Sequence, residues 1–553
     1  MAWNPQFKSG ILHRIFGEGS TVFRAGYGRQ FGRLNGVNNL LVPMSGPGLL
    51  QSVTCSLASM NGQCLTSGSV NVGNVFRIGP DGLTAPLPAP TQTLPQPFLP
   101  GALQNGILNP VGGDSRAVDF DYRPESTDNI DFTIQRSVGR KMSLEVGYLG
   151  RRIQHEFAEV DLDSVPYMMT LGGQTFADAY AKLYVAMCGL GPACANNSYT
   201  GAAQPFFEAA LTPGTGYCAT FTSCTAAVAS KELARFANVQ VSDIWANLNA
   251  GVGWKLGRTM LSDQATTIGL KSALGYGNYN AAFFTFRIRD WHGITAVSNF
   301  TWGRSLGMGA QTQRSSGTNL LDIYNKRGNY GVNDFDYKFI YSLGVTYRPD
   351  FFKSRHGLVG QLLNGWSVSP FLSARSGAPT RINWSGAGGC GADCQAFGET
   401  GNSNGGASGF ESAIPIGSYN IRPTANRGVL GSNGVGTTNP EGLNMFADPE
   451  AVYNLFRRCV LGLDTSCGGG AGNLRGLNRW NVDATLAKDI KITERIGLQF
   501  TMQFTNVFNH FQPADPRDSS ADNLRLNQKQ NFGRITSAAY DPRQVEWGMR
   551  IHF

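Results

Sequence analysis

Charge is what this sequence has least of. Across 553 residues only 15% are Asp, Glu, Lys or Arg, against roughly 25% in an ordinary soluble chain. Long hydrophobic runs are missing as well: no stretch approaches the roughly 18 apolar residues of a membrane-crossing helix, which excludes helical spanning. The N-terminus, Met1-Ala2-Trp3-Asn4-Pro5-Gln6-Phe7, carries neither the basic start nor the apolar core of a secretory signal. Read literally, that points to the cytoplasm. Histidine is scarce, and its six copies (13, 155, 292, 356, 510 and 552) make no metal-binding spacing. The net charge of +8 is dispersed, without the basic run that holds nucleic acid, so neither a nucleic-acid partner nor a cofactor is expected.

Enzyme motifs fail on context. Gly303-Arg304-Ser305-Leu306-Gly307 and Gly401-Asn402-Ser403-Asn404-Gly405 match the nucleophile-elbow pattern, but neither opens a helix after a buried strand. Gly468-Gly469-Gly470-Ala471-Gly472 lacks the following Lys-Ser or Lys-Thr of a phosphate cradle. In a chain with 70 glycines these are chance matches, and no enzymatic activity is expected. The acidic pairs Asp119 with Asp121, Asp161 with Asp163, and Asp334 with Asp336 suit either a loop cation or solvation at strand mouths.

What the sequence does have is alternation. In the last nine residues Val545, Trp547, Met549, Ile551 and Phe553 share one face of a strand, while Glu546, Gly548, Arg550 and His552 share the other. The same period recurs in hairpins along the chain. Phe7 to Phe16 and Thr21 to Phe31 are expected to pair across Gly17-Glu18-Gly19-Ser20. Ile130, Phe132 and Ile134 precede Met142, Leu144, Val146 and Tyr148 across Gly139-Arg140; Phe284, Phe286 and Ile288 precede Ile294, Phe300 and Trp302 across Asp290 to Gly293. Tyr337 to Tyr347 is followed by Trp366 to Ala374, and Trp480 to Leu486 by Ile496 to Phe504. With the terminal strand the expected count is about eleven.

The connections alternate between short and long. Long ones are expected over 32–127, 151–274, 304–335, 377–477 and 509–542, and helical spacing inside the second places Phe176, Tyr180, Leu183, Tyr184 and Met187 on one face behind a Thr175 cap. All ten cysteines fall in these loops as near neighbours: Cys55 with Cys64, Cys188 with Cys194, Cys218 with Cys224, Cys390 with Cys394, and Cys459 with Cys467. Local disulfides formed outside the cytosol are the expectation, against free or metal-binding thiols. Strands of about 10 residues tilted near 45° span the apolar band of an outer membrane, with tight turns on the periplasmic side and large loops outside. Tyr148, Trp302, Tyr337 and Trp480 are placed as girdle residues near the long loops, Tyr347 and Trp366 near the short turns. The fold class is therefore all-β, a transmembrane antiparallel barrel in a Gram-negative type outer membrane, against a soluble multi-sandwich. Eleven strands with periplasmic turns would start Met1 outside, so upstream strands and signal are expected to be missing, and the chain alone is not expected to close into a monomeric barrel.

Several stretches resemble a known family. Asn478-Arg479-Trp480-Asn481-Val482-Asp483, the run from Ile492 to Phe500, Asn506-Val507-Phe508-Asn509-His510-Phe511, and the ending from Phe532-Gly533-Arg534 through Pro542-Arg543-Gln544 to Phe553 are similar to the C-terminal barrel of Oar-like TonB-dependent receptors. Arg24-Ala25-Gly26-Tyr27-Gly28 and Gly365-Trp366-Ser367-Val368-Ser369 resemble the same family. The resemblance implies a barrel of about 22 strands, of which this chain is roughly half. It also implies uptake of a bulky nutrient, a carbohydrate or a chelate, with TonB and the plug as partners only through the missing N-terminal part. The alternatives are a surface adhesion or assembly protein, or a passive porin. Lumen-facing candidates are Arg287, Arg289, Lys338, Arg375 and Asp483, then Gln499, Gln503, Glu546 and Arg550, to contact a plug or solute or simply to form a hydrated wall. Trp547, Met549, Ile551 and Phe553 are expected to meet outer-membrane lipid and to serve as the assembly signal read by the barrel-assembly machinery.

Overall fold

The computed structural model describes residues 1–32, 64–66, 69–71, 102–104, 107–109, 115–162, 164–251, 268–308, 318–320, 322–349, 357–382, 396–398, 412–429, 442–467, 472, 474–493, 495–516 and 524–553. One antiparallel sheet runs through nearly all of the long strands. After a two-residue strand β1 (Ala2–Trp3) come β2 (Thr21–Phe31), β3 (Ser126–Val138), β4 (Met142–Asp161), β5 (Ile268–Trp291) and β6 (Ile294–Gly307). The path continues through β7 (Phe339–Tyr347), β8 (Trp366–Arg375), β9 (Arg479–Lys491), β10 (Gly497–Thr505) and β11 (Gln544–His552), each paired with the next in sequence. Among the described residues no ladder joins β11 to β1 or β2, so the sheet is open at both edges.

Register shows why these segments are strands with two different faces. Phe23, Ile134, Val146, Phe284, Phe300, Tyr341, Ala374 and Trp480 are opposite one another in succession across eight neighbouring strands. One residue along, Gln135, Glu145, Thr285, Asn299, Ser342, Ser373 and Asn481 make the parallel row on the other face. The polar row is stitched together: the Thr285 hydroxyl donates to Asn299 Oδ1 at 3.1 Å, and Asn299 Nδ2 donates to Ser342 Oγ at 3.4 Å. The apolar row is left open, with Phe284 and Phe300 exposed on the surface of a sheet that has no second layer against it. An aqueous protein would bury that row; a barrel wall turns it to lipid.

The first arm departs from expectation. Phe7 to Phe16 is not a strand: residues Gly10–Phe16 form the helix α1. Gly10 (φ 83°) and Gly17 (φ 71°) interrupt extended backbone at both ends, and Ile11, Leu12 and Ile15 sit at helical spacing, which so short a segment cannot distinguish from alternation. The place beside β2 is taken by Ala2 and Trp3, opposite Arg24 and Phe23. Thr21 then stands opposite Arg136, beside the β3–β4 turn, so β2 starts on the short-turn side. Because no strand descends over Phe7 to Phe16 and Ala2 enters the sheet opposite Arg24, near that same end, the expected start of the chain on the long-loop side is corrected.

The second departure is length. The 151–274 connection was expected to begin and end at the membrane, but β4 runs on to Asp161 and β5 begins at Ile268. Their ladder continues past the girdle residue Tyr148 to Asp161 opposite Gly269, a hairpin standing outside the apolar band.

On that outer side three long connections fold into one body. The first supplies the helices α2 (Phe176–Cys188), α3 (Pro205–Ala210), α4 (Cys224–Lys231), α5 (Leu233–Asn238) and α6 (Val241–Gly251). As expected, Thr175 caps α2, its hydroxyl accepting from Asp178 N at 3.2 Å. Phe176 and Tyr180 are fully buried against Trp245 and Phe236, with ring centroids 5.0 and 4.8 Å apart. The same core takes Phe446 and Phe456 from 376–478 and Phe532 from 506–543. Cys188–Cys194, Cys218–Cys224 and Cys459–Cys467 are bonded within it; Cys55, Cys390 and Cys394 lie outside the described residues, as does the side chain of Cys64. We call this body the cap.

Candidate functional site

The cap is fastened to the rim of the sheet by ion pairs. Asp336, with its side chain 1% exposed, accepts from Arg475 of the 376–478 connection and from the backbone N of Ser305 in β6 at 2.5 Å. Beside it Arg381 reaches Asp334 at 3.4 Å. A third link joins the Tyr167 hydroxyl to Asp322 at 2.7 Å, and burial raises the pKa of both groups. The acidic pair at 334 and 336 is thus engaged by arginines. Asp119 instead accepts from the Ser272 hydroxyl at 2.6 Å, while the side chains of Asp161 and Asp163 lie outside the described residues. Among the described residues no three His, Cys, Asp or Glu come together to hold a metal.

Where cap and rim meet there is a cavity of about 680 Å³. Its floor includes Trp302, Arg304 and Lys338 from the sheet end, and its roof includes Tyr419, Ile421 and Arg475 from the cap. Tyr148 and Asn280, joined by a 2.6 Å hydrogen bond, close one side. Three cations, Arg304, Lys338 and Arg475, line it against the single carboxylate of Asp336. Such a space combines flat aromatic surface with positive charge, and it is large enough for a ligand of several rings.

Most of the expected lumen-facing residues follow the polar row. Arg287, Arg375 and Asp483 fall in register with it, as do Gln503 opposite Glu546 and Gln499 opposite Arg550. Asp483 accepts from Asn481 Nδ2 and Asn506 N, and Gln499 Nε2 donates to Asp489. Arg375 stacks over Tyr337 at 4.7 Å. Arg289 sits at the short-turn end, its N–H donating to Lys141, and Lys338 is the one that enters the cavity. Trp547, Met549 and Ile551 of the terminal strand are all exposed on the opposite, apolar face.

Sequence reading missed two things here. The polar face also carries Phe283, Ile340 and Phe371, in register with that row, and Phe283 lies over Gly147, where a Cβ would stand 2.5 Å from its ring. The roof residues Tyr419, Ile421 and Arg475 gave no signal, because Arg475 lies 139 residues from its partner Asp336. The Gly303–Gly307 motif lies inside β6, paired along its length with β5 and, at Leu306 and Gly307, with Val332 and Gly331 on the other side, which is not the strand-to-helix turn a nucleophile elbow needs.

A sheet with one polar and one lipid-facing side, short turns at one end and a folded cap at the other defines a membrane β-barrel wall. A family model described as the outer membrane beta barrel domain matches residues 3–546, and the chain belongs to that family. It is an outer-membrane protein, and membership of this family points to a non-enzymatic role. Comparison with curated proteins finds no match. Among solved structures the chain is similar to the outer membrane transporter YddB from Escherichia coli, with 8% identity and a TM-score of 0.37 over 97% of this chain and 39% of that one. It is also similar to the ferric-catecholate import receptor Fiu from E. coli (8% identity, TM-score 0.28, 81% and 30% covered). The third is the ferric citrate transporter FecA (10% identity, TM-score 0.26, 78% and 31% covered). The chain spans 39% or less of the length of each.

Proposed function

We propose that the chain forms part of the wall and the outer vestibule of an outer-membrane transporter of the Oar-like, TonB-dependent kind, taking up a bulky anionic solute. The cavity between cap and rim carries this reading. Its aromatic side chains suit the faces of sugar or catechol rings, and its excess of cations suits carboxylates on an acidic oligosaccharide or an anionic chelate. Below it, Phe283, Ile340 and Phe371 offer apolar contact within an otherwise polar face, where a plug or a descending solute would touch. The open edges of the sheet belong against further strands in hydrocarbon, since every unpaired backbone group there costs several kcal/mol.

The test is ligand capture by the purified protein in detergent and uptake by cells that make it. Tyr419→Ala and Lys338→Ala should weaken binding of anionic oligosaccharides or chelates about tenfold or more, the size of one lost aromatic or charged contact. Uptake should stop when the proton gradient is collapsed. Solute entry that persists without the gradient would favour a passive porin, and no capture of any such solute would favour an adhesion or assembly protein.

A further inference from the structure

The short-turn rim of the sheet is apolar in places where a periplasmic surface should be wet. On α1, Ile11, Leu12 and Ile15 are exposed by 75%, 48% and 50%. A second short helix, α7 (Gly357–Leu363), lies in the β7–β8 connection on the same side and exposes Val359 and Leu362. Trp291 and Ile492, at two other short turns, are exposed as well.

Both helices are held against the lipid-facing side of the sheet. Phe16 at the end of α1 packs on Phe23 at 5.4 Å, and the Thr21 hydroxyl donates to the Phe16 carbonyl at 2.6 Å. Phe23 belongs to the apolar row. At α7 the Lys488 ammonium donates to the carbonyls of Gln361, Leu362 and Asn364, and the Trp366 indole donates to Leu362 O at 3.0 Å. Lys488 and Trp366 are opposite one another, in phase with the apolar side chains Leu486 and Val368. Around the same rim Lys8, Arg14, Arg140, Lys141, Arg348 and Lys491 are all exposed, outnumbering the exposed carboxylates Glu18, Asp290 and Asp489, of which Asp290 pairs with Lys141.

We propose that α1 and α7 are interfacial helices that seat the short-turn rim in the inner, phospholipid leaflet. Ile11, Ile15, Val359 and Leu362 enter the boundary between head groups and acyl chains, and the exposed lysines and arginines meet anionic head groups. Two observations commit the surface to lipid: it continues the lipid-facing row without a break, and its rim is cationic where anionic phospholipid would lie. Helices this short would not be stable alone in water, and here each is tied down at its C-terminus by the strand it flanks.

The experiment uses the full chain, folded in vesicles of phosphatidylethanolamine with phosphatidylglycerol. Single variants Leu362→Cys, Ile15→Cys and, as an aqueous control, Leu463→Cys in the cap are labelled with an environment-sensitive fluorophore. Emission at positions 362 and 15 should shift to the blue and be quenched by lipids brominated on the acyl chains, while the cap position responds only to iodide. Replacing phosphatidylglycerol with phosphatidylcholine should reduce the bromolipid quenching at both helices. Iodide quenching without bromolipid quenching at 362 and 15 would overturn the proposal and leave the helices as a free surface for a periplasmic protein. Equal quenching in both lipid mixtures would overturn its anionic part.

Discussion

Arg475 of the cap donates to the buried carboxylate of Asp336 at the end of the sheet, joining residues 139 positions apart. The pair does more than close a loop. Asp336 also orders the end of β6 through Ser305 N, so cap position and rim geometry depend on the same side chain. Removing the arginine strands a buried charge, which costs more than the pair contributes when intact. We expect Arg475→Ala to destabilise the cap by about 2–4 kcal/mol and Asp336→Asn by less. Limited proteolysis should show early cleavage in the cap while the sheet stays protected.

Core substitutions should separate cap from wall. Phe176 is fully buried between Phe206 and Trp245, and Phe176→Ala should cost roughly 3–5 kcal/mol as cavity and transfer terms add. Gly462→Ala should act the same way, since a Cβ there would strike the Ala177 carbonyl of α2 and φ is 82°. Ligand capture should be lost in both variants while membrane insertion, read by co-flotation with vesicles after an alkaline wash, is kept.

Outside the apolar band, a carboxyl titrates near neutrality. Glu156 lies in β4 well beyond Tyr148, next to His155 at φ 58°. Burial, and then the nearby Glu125 carboxylate, push it up to about 7. Its folded-state pKa exceeds the unfolded one, so its contribution is fully present below the unfolded value near 4.5 and is lost as pH rises through about 7. Thermal stability of the outer hairpin should therefore fall over that interval, and Glu156→Gln should flatten the dependence.

Reduction should loosen the cap and spare the wall. Cys188–Cys194, Cys218–Cys224 and Cys459–Cys467 all lie within it, closing sequence separations of 6, 6 and 8. Each short loop constrains the unfolded cap by roughly 2–3 kcal/mol. A reductant that cannot cross membranes should lower the cap's unfolding temperature without changing the strand content of the sheet, read by circular dichroism.

How far the structure was legible in the sequence follows from range. Phe284, Phe300 and Tyr341 announce their face by period alone, because strand geometry ties each to its neighbours in sequence. The Thr175 cap of α2 is equally local. Helix α1 was misread because seven residues, with Ile11/Ile15 and Leu12/Phe16 as their only apolar i, i+4 pairs, carry too little period to outweigh a neighbouring strand. The outer reach of β4 and β5 was hidden by Gly150, Arg151 and Arg152, which read as loop composition but pair regularly with Asn280, Tyr279 and Asn278, and by Gly275, where the ladder shifts register. The cavity was beyond reach for a third reason: Trp302 and Tyr419 meet only through the cap core, where Phe176, Phe446 and Phe532 come from three separate connections.

The two-faced sheet itself is tested most directly by scanning β6 with spin labels, one at a time from Ala296 to Trp302, on protein assembled in membranes. Oxygen accessibility should peak at 296, 298, 300 and 302, and accessibility to an aqueous nickel chelate at 297, 299 and 301, the two profiles alternating out of phase. Profiles that rise and fall together, or aqueous access to Phe300 as great as to Asn299, would contradict a membrane wall.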